Sequence, residues 1–142
     1  GVPLSPPCRE EDLPVIARGQ LDAEDAAARR SNGLVVCDTD LYATWFYAEE
    51  YFGACPEWIR ATARARRYDL HLLLEPDVPW VEDPQRDLPH RRAAMHGWLR
   101  RALAADGRAR REVAGSWDER RRDAAEAVAP LAGGTPRERI RE

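Results

Sequence analysis

The chain contains no lysine: all 22 of its basic residues are arginine, so lysine-dependent chemistry is excluded for these 142 residues. Cysteine is also scarce. Cys8, Cys37 and Cys55 are widely spaced, odd in number and form no C-x-x-C pair, which suggests neither a disulfide framework nor a zinc site. Cys37, inside an apolar run, is expected to be a small core residue. No apolar run approaches the roughly 20 residues needed to cross a bilayer, and the first twenty residues hold proline and acid where a signal peptide would be apolar. Nor is there a large excess of charge of either sign. A net charge of -3 and a pI near 5.7 give no reason to invoke nucleic acid or an anionic membrane surface as partner. The expectation is a soluble, cytoplasmic protein.

What is present suits one domain, because 44% hydrophobic residues in a chain of this length can build one core. Prolines crowd the opening stretch, which reads as an irregular entry. From about Glu10 to Arg30, apolar residues recur at helical spacing until Asn32-Gly33 stops them, and Pro14 must fall in the first turn. "LVVC", residues 34–37, is short, continuous and β-branched, the pattern of a strand buried in a parallel sheet. A helix over about Leu41–Phe52 follows, capped by Thr39 or Asp40 and ended by Gly53. Pro56 opens another, through "PEWIRATARARRY". "DLHLLL" is a second buried run that also ends on acid and proline. Residues 84–92 form a polar, basic loop leading into a helix to about Ala104, whose apolar line is Met95, Trp98, Leu99, Ala102 and Leu103. "REVAGSW" reads as a third strand with a turn at Gly115-Ser116, and "DERRRDAAEAVAPL" as a last helix. The tail, 132–142, has little to bury and is expected to be disordered. This order of elements indicates an α/β sheet with covering helices.

Ligands of open α/β sheets bind beyond the carboxyl ends of the parallel strands, which directs attention to Asp38 and Asp40. A carboxylate there can hold Mg²⁺ or its water against phosphate oxygens. The same residues can equally end the strand and cap the helix without any ligand. Arg86, Arg91 and Arg92 make a second group: guanidinium groups stabilise the charge of a transferring phosphoryl group, and a loop between strand and helix is suited to a lid. A solvated basic face is the plainer alternative. Tyr42, Trp45, Phe46, Tyr47, Tyr51 and Phe52 could stack a planar heterocycle or simply pack in the core. His71, His90 and His96 lack metal-ligand spacing and read as structural or exposed, and no G-x-S-x-G elbow occurs.

Taken together, "EDLPVIARGQ", "LVVCDTDLYATWFYAEEYFGACPEWI", "RYDLHLLLEPDVPWVEDPQRDLPHRR" and "AGSWDERRRDA" resemble the P-loop kinase domain of NadR-type nicotinamide-riboside kinases and its AAA-ATPase-like relatives, from about Leu4 to Leu131. The resemblance implies a three-layer P-loop NTPase-like parallel sheet with flanking helices over 1–131. It implies ATP and Mg²⁺ as co-substrate and cofactor and a small nucleoside or nucleotide as partner. By the same resemblance Asp38 matches the Mg²⁺-associated acid, Asp40 its companion near the transferred phosphate or substrate hydroxyl, and Arg86, Arg91 and Arg92 the lid. Trp45 and Tyr47 lie where a riboside ring would be received. The reaction implied is transfer of the ATP γ-phosphate to the 5'-hydroxyl of nicotinamide riboside, giving nicotinamide mononucleotide.

The departure lies at the phosphate loop. The nine glycines never fall into G-x-x-x-x-G-K-[ST], and no lysine is available to reach the phosphates. In the family the first strand lies between those matched by "LVVC" and "DLHLLL", so the implied sheet is incomplete and its exposed edges could pair copies of the chain. Two readings follow: a C-terminal part of a longer kinase, inactive by itself, or a non-catalytic, pseudokinase-like module that binds a riboside or nucleotide, or regulates.

Overall fold

A computed structural model describes residues 8–79 and 89–132, the side chains of 89 and 90 excepted. A 3-10 turn, Glu10–Asp12, leads into α1 (Leu13–Arg30), α2 (Leu41–Phe52), α3 (Glu57–Ala65), β1 (His71–Leu74), α4 (Pro89–Ala105), β2 (Arg110–Val113) and α5 (Trp117–Ala132). Pro14 sits in the first turn of α1, where its missing N–H is not needed. The Asp40 carboxylate caps α2 by accepting the Tyr42 N–H at 3.0 Å. Gly53 closes that helix at φ 75°, a left-handed conformation that suits glycine.

The two strands run parallel, in register from His71 opposite Arg110 to Leu74 opposite Val113. With α4 between them they form a β-α-β unit, as parallel neighbours require. Leu73 and Val113 are the buried members of the pair. The larger core is helical: Leu13, Ala17, Leu41, Tyr42, Trp45, Ala48, Cys55, Ile59, Ala63 and Leu103 bring α1, α2, α3 and α4 together. The expected apolar line of α4 behaves as its spacing requires, with Leu103 buried and Trp98, Leu99 and Ala102 packed against the same cluster.

Three expectations are corrected. Residues 34–37 are not a strand: they form no ladder, and Val36 is 76% exposed. The physical reason is the absence of a partner, since among the described residues β2 is the strand that pairs with β1 and none lies beside 34–37. Without ladder hydrogen bonds, apolar composition alone does not hold a strand in a sheet. The sheet described is accordingly two strands, smaller than the implied three-layer arrangement. Cys37, on that same segment, is half-buried, and the cysteine that joins the core is Cys55. Finally, α4 begins at Pro89, so Arg91 and Arg92 lie in its first turn and not in a loop. Arg86 and the tail beyond Ala132 fall outside the described residues.

Candidate functional site

The turn Asp38-Thr39-Asp40 joins residues 34–37 to α2. Thr39 adopts φ 65°, a left-handed conformation that β-branched residues avoid. Its carbonyl accepts from Gln20 Nε2 at 3.0 Å, which ties the turn to α1. Asp38 is exposed. Asp40 is not: while Oδ1 caps α2, Oδ2 lies 3.4 Å from His71 Nδ1, with side-chain exposures of 15% and 11%. The imidazole meets the edges of two rings, Tyr42 at 6.0 Å and Tyr68 at 5.2 Å between centroids. Burial pushes the Asp40 carboxyl up, with the facing imidazole opposing. Burial likewise pushes His71 down, opposed by Asp40 and reinforced by Arg108.

A polar cluster on α1 backs this turn. The buried Glu24 accepts from Tyr68 Oη at 2.9 and 2.7 Å on its two oxygens and pairs with Arg66 Nε at 3.0 Å. Burial, then the hydrogen bond to Glu24, raises the Tyr68 phenol, so it stays protonated and donating.

The arginines sit elsewhere. Arg91 places its guanidinium 4.9 Å from the Tyr51 ring centroid. Tyr51 is near the far end of α2 from Asp40, about 16 Å along the axis at 1.5 Å per residue. Arg92 Nη2 donates to Val78 O at 3.1 Å, beyond the carboxyl end of β1. Asp40 meets His71, the residue that opens β1, so the acidic turn and Arg92 lie at opposite ends of a strand about 10 Å long. The structure thus does not bring Asp38 and Asp40 into one pocket with Arg91 and Arg92. This follows from the unpaired 34–37 segment, whose end is placed by side-chain contacts and not by a ladder.

The two aromatics expected to receive a riboside also separate. Trp45 is 8% exposed, donates through Nε1 to Glu49 at 2.8 Å, meets Trp98 edge-on and carries the Arg64 guanidinium over its ring. It is a core residue. Tyr47 is half-buried and stacked on Tyr51 at 5.8 Å and 11°.

At the carboxyl ends of the strands lies a cluster that residue types alone did not single out. The buried Arg120 donates from Nε to Gly115 O at 2.8 Å and from Nη2 to Glu75 O at 2.6 Å, and it pairs with Asp77. Asp77 in turn accepts the Gly115 N–H at 2.8 Å. Glu75 faces Arg100 at 2.8 Å and His96 at 3.2 Å. The sequence signal was Ser116-x-x-Glu119, a capping box with reciprocal bonds of 2.7 and 3.2 Å, which fixes the start of α5 and therefore Arg120.

A family model described as an AAA domain matches residues 5–120 of the chain. The chain belongs to this AAA-domain family. It is 34% identical over 77 residues to the trifunctional NAD biosynthesis/regulator protein NadR of Escherichia coli (strain K12), and equally to that of Salmonella typhimurium (strain LT2). Each alignment covers 54% of this chain and 19% of the relative, so the aligned part spans about a fifth of the curated relatives' length. Membership of the AAA-domain family suggests a P-loop NTPase fold, and the parallel strand pair flanked by helices is consistent with it.

The residues of this AAA domain differ in how well they fit the groups such a domain uses. No cluster of three His, Cys, Asp or Glu side chains suited to a metal occurs among the described residues. Mg²⁺ needs fewer, because one or two carboxylates and substrate phosphates complete its shell with water. The exposed Asp38 carboxylate fits that role, and Asp40, with both oxygens engaged, does not fit it in this arrangement. The phosphates of ATP have neither a glycine-rich cradle nor a lysine here. No described helix is long and apolar enough to cross a membrane.

Proposed function

We propose that this AAA domain is part of an ATP-dependent nucleoside kinase that phosphorylates nicotinamide riboside to nicotinamide mononucleotide, in NAD biosynthesis and salvage. The observation that carries the reading is the likeness to NadR proteins, joined to the presence of the Asp38-Thr39-Asp40 turn in this chain. Asp38 would hold Mg²⁺ or its water, Asp40 would lie near the substrate hydroxyl, and Arg86, Arg91 and Arg92 would neutralise charge on the phosphoryl group. Mg²⁺ would supply that neutralisation from the phosphate side. Tyr47 suits the riboside ring better than the enclosed Trp45. The phosphate cradle has to come from residues outside these 142, and so must the strand that would set 34–37 beside β1. The chain by itself therefore has little kinase activity.

The alternative, a non-catalytic module that binds riboside or nucleotide or acts as a regulator, draws on a specific observation: both Asp40 oxygens are already engaged, as a purely structural cap requires. The reading frame upstream of the Gly1 codon separates the two. A G-x-x-x-x-G-K-[ST] within about 60 residues supports the kinase, since that leaves room for a β-α-β unit of about 30 residues or more and its connection. A start codon immediately before the Gly1 codon supports the module. In the longer protein, Asp38→Asn should lower kcat by about 100-fold or more while leaving the fold intact. Turnover of nicotinamide riboside by the folded 142-residue chain alone would overturn the proposal.

A further inference from the structure

We infer that Arg120 is a positioning residue: it clamps the exit of β1 to the turn after β2, and through the stiff segment that follows β1 it sets where Arg92 is held at the carboxyl end of the sheet. The residue is 7% exposed, and its two bonds to backbone, from Nε to Gly115 O at 2.8 Å and from Nη2 to Glu75 O at 2.6 Å, join loops that leave different strands. Glu75 directly follows β1, and its N–H donates to Val113 O at 2.8 Å, so the guanidinium closes the ladder where it ends. Gly115 stands at φ 93°, and a Cβ there would run into the Glu119 carboxylate, which leaves that turn little choice of shape. The N–H of Arg120 donates to Ser116 O at 2.8 Å, which holds the residue itself at the start of α5.

The ion pair with Asp77 does not carry the clamp. The Asp77 side chain is 43% exposed against 8% for Arg120, and a carboxylate so wet adds little. Leaving a buried carbonyl without its donor is costly, and a planar fork serves two carbonyls at once where a lysine would serve one. The hold is passed on by Glu75-Pro76-Asp77-Val78-Pro79. Two prolines fix φ at 76 and 79 and restrict the residues before them, so the place of Val78 follows from Glu75 and Asp77 with little freedom. Val78 O is the atom that accepts from Arg92 Nη2 at 3.1 Å. Arg120 thus acts on Arg92 through the backbone between them. The clamp is independent of the kinase reading; its meaning for phosphoryl transfer rests on that reading, in which Arg92 is one of the guanidinium groups that face the phosphoryl group.

The test is amide exchange followed by NMR on the 142-residue chain and three variants, read at Glu75 and Gly115, whose N–H groups are bonded to Val113 O and to Asp77. Arg120→Lys keeps the charge without the fork, and Arg120→Met removes both. Asp77→Asn keeps an oxygen for the Gly115 N–H and leaves both carbonyl bonds of Arg120 in place. Both Arg120 variants should exchange about tenfold or more faster at Glu75 and Gly115, while the Gly53 and Arg66 amides, bonded to Glu49 O and Thr62 O, stay within about twofold of the parent. The Arg92 Nε–H resonance should shift in the same two variants, and Asp77→Asn should exchange as the parent does. If Arg120→Met fails to fold, Arg120→Lys alone decides. Parent-like exchange at Glu75 and Gly115 in Arg120→Lys would overturn the clamp, as would an equal rise at all the amides read or an equally large loss in Asp77→Asn. An Arg92 resonance that stays in place while Glu75 and Gly115 loosen would overturn the link to Arg92. No reading uses turnover, so the clamp and the kinase assignment fail separately.

Discussion

Thr39→Gly should make the protein more stable. The left-handed conformation at φ 65° costs an L-residue about 1–2 kcal/mol, and a β-branched side chain is among the least tolerant of it. Glycine removes that penalty but loses about 0.5–1 kcal/mol through its freer unfolded chain. The hydrogen bond from Gln20 is to the backbone carbonyl and survives the change. The net expectation is a gain of about 0.5–1 kcal/mol, which at a urea slope of about 2 kcal/mol/M raises the midpoint by roughly 0.3–0.5 M. Urea unfolding followed by circular dichroism measures it, with Thr39→Ala as control, since alanine keeps a Cβ in the same left-handed backbone. A Gly variant no more stable than the parent, or an Ala variant stabilised as much, would refute the reasoning: the strain would then be absent, or its relief would not be what the substitution achieves.

Arg120→Met should destabilise the chain by about 1–3 kcal/mol, because it leaves the Gly115 and Glu75 carbonyls without their buried donor and Asp77, itself largely in water, without its partner; adding Asp77→Asn should recover part of the loss, and chemical denaturation of the three variants checks both. Because burial lowers the His71 pKa from 6.5, the unfolded chain takes up the proton first as pH falls, so stability is present above about 6.5 and declines below it. The urea midpoint should therefore fall between pH 7.5 and pH 5.5, and His71→Gln should flatten that part of the profile. Cys55, with its thiol pushed up to about 11 mainly by burial, should resist alkylation at pH 7.5, while the exposed Cys8 labels first; mass spectrometry over time reads the order.

The helices were legible because their signals are local. Pro14, the Asp40 cap, Gly53 and the apolar spacing of α4 each act within a turn or two of the chain, and each does in the structure what its chemistry dictates. The two strands were also readable, since "DLHLLL" and "REV" both stand out with a helix between them, whereas their direct pairing came from the structure. "LVVC" failed because a strand is not a local object: the same residues are a strand or an exposed extended segment according to whether a partner lies alongside. The acidic turn was found by residue type, yet its position at the amino end of β1 came from His71, a residue that looked merely structural. Arg120 went unread because its value lies in two backbone carbonyls that no pattern of side chains announces.

The most direct test of the functional account is isothermal titration of the 142-residue chain, with nicotinamide riboside and with ATP-Mg²⁺ in separate runs. On the proposed function, a chain that carries the acidic turn and Tyr47 but has neither a G-x-x-x-x-G-K-[ST] loop nor a lysine should take up the riboside and give no heat of binding with the nucleotide. Tight binding of ATP-Mg²⁺, or no binding of the riboside at millimolar concentration, would contradict it.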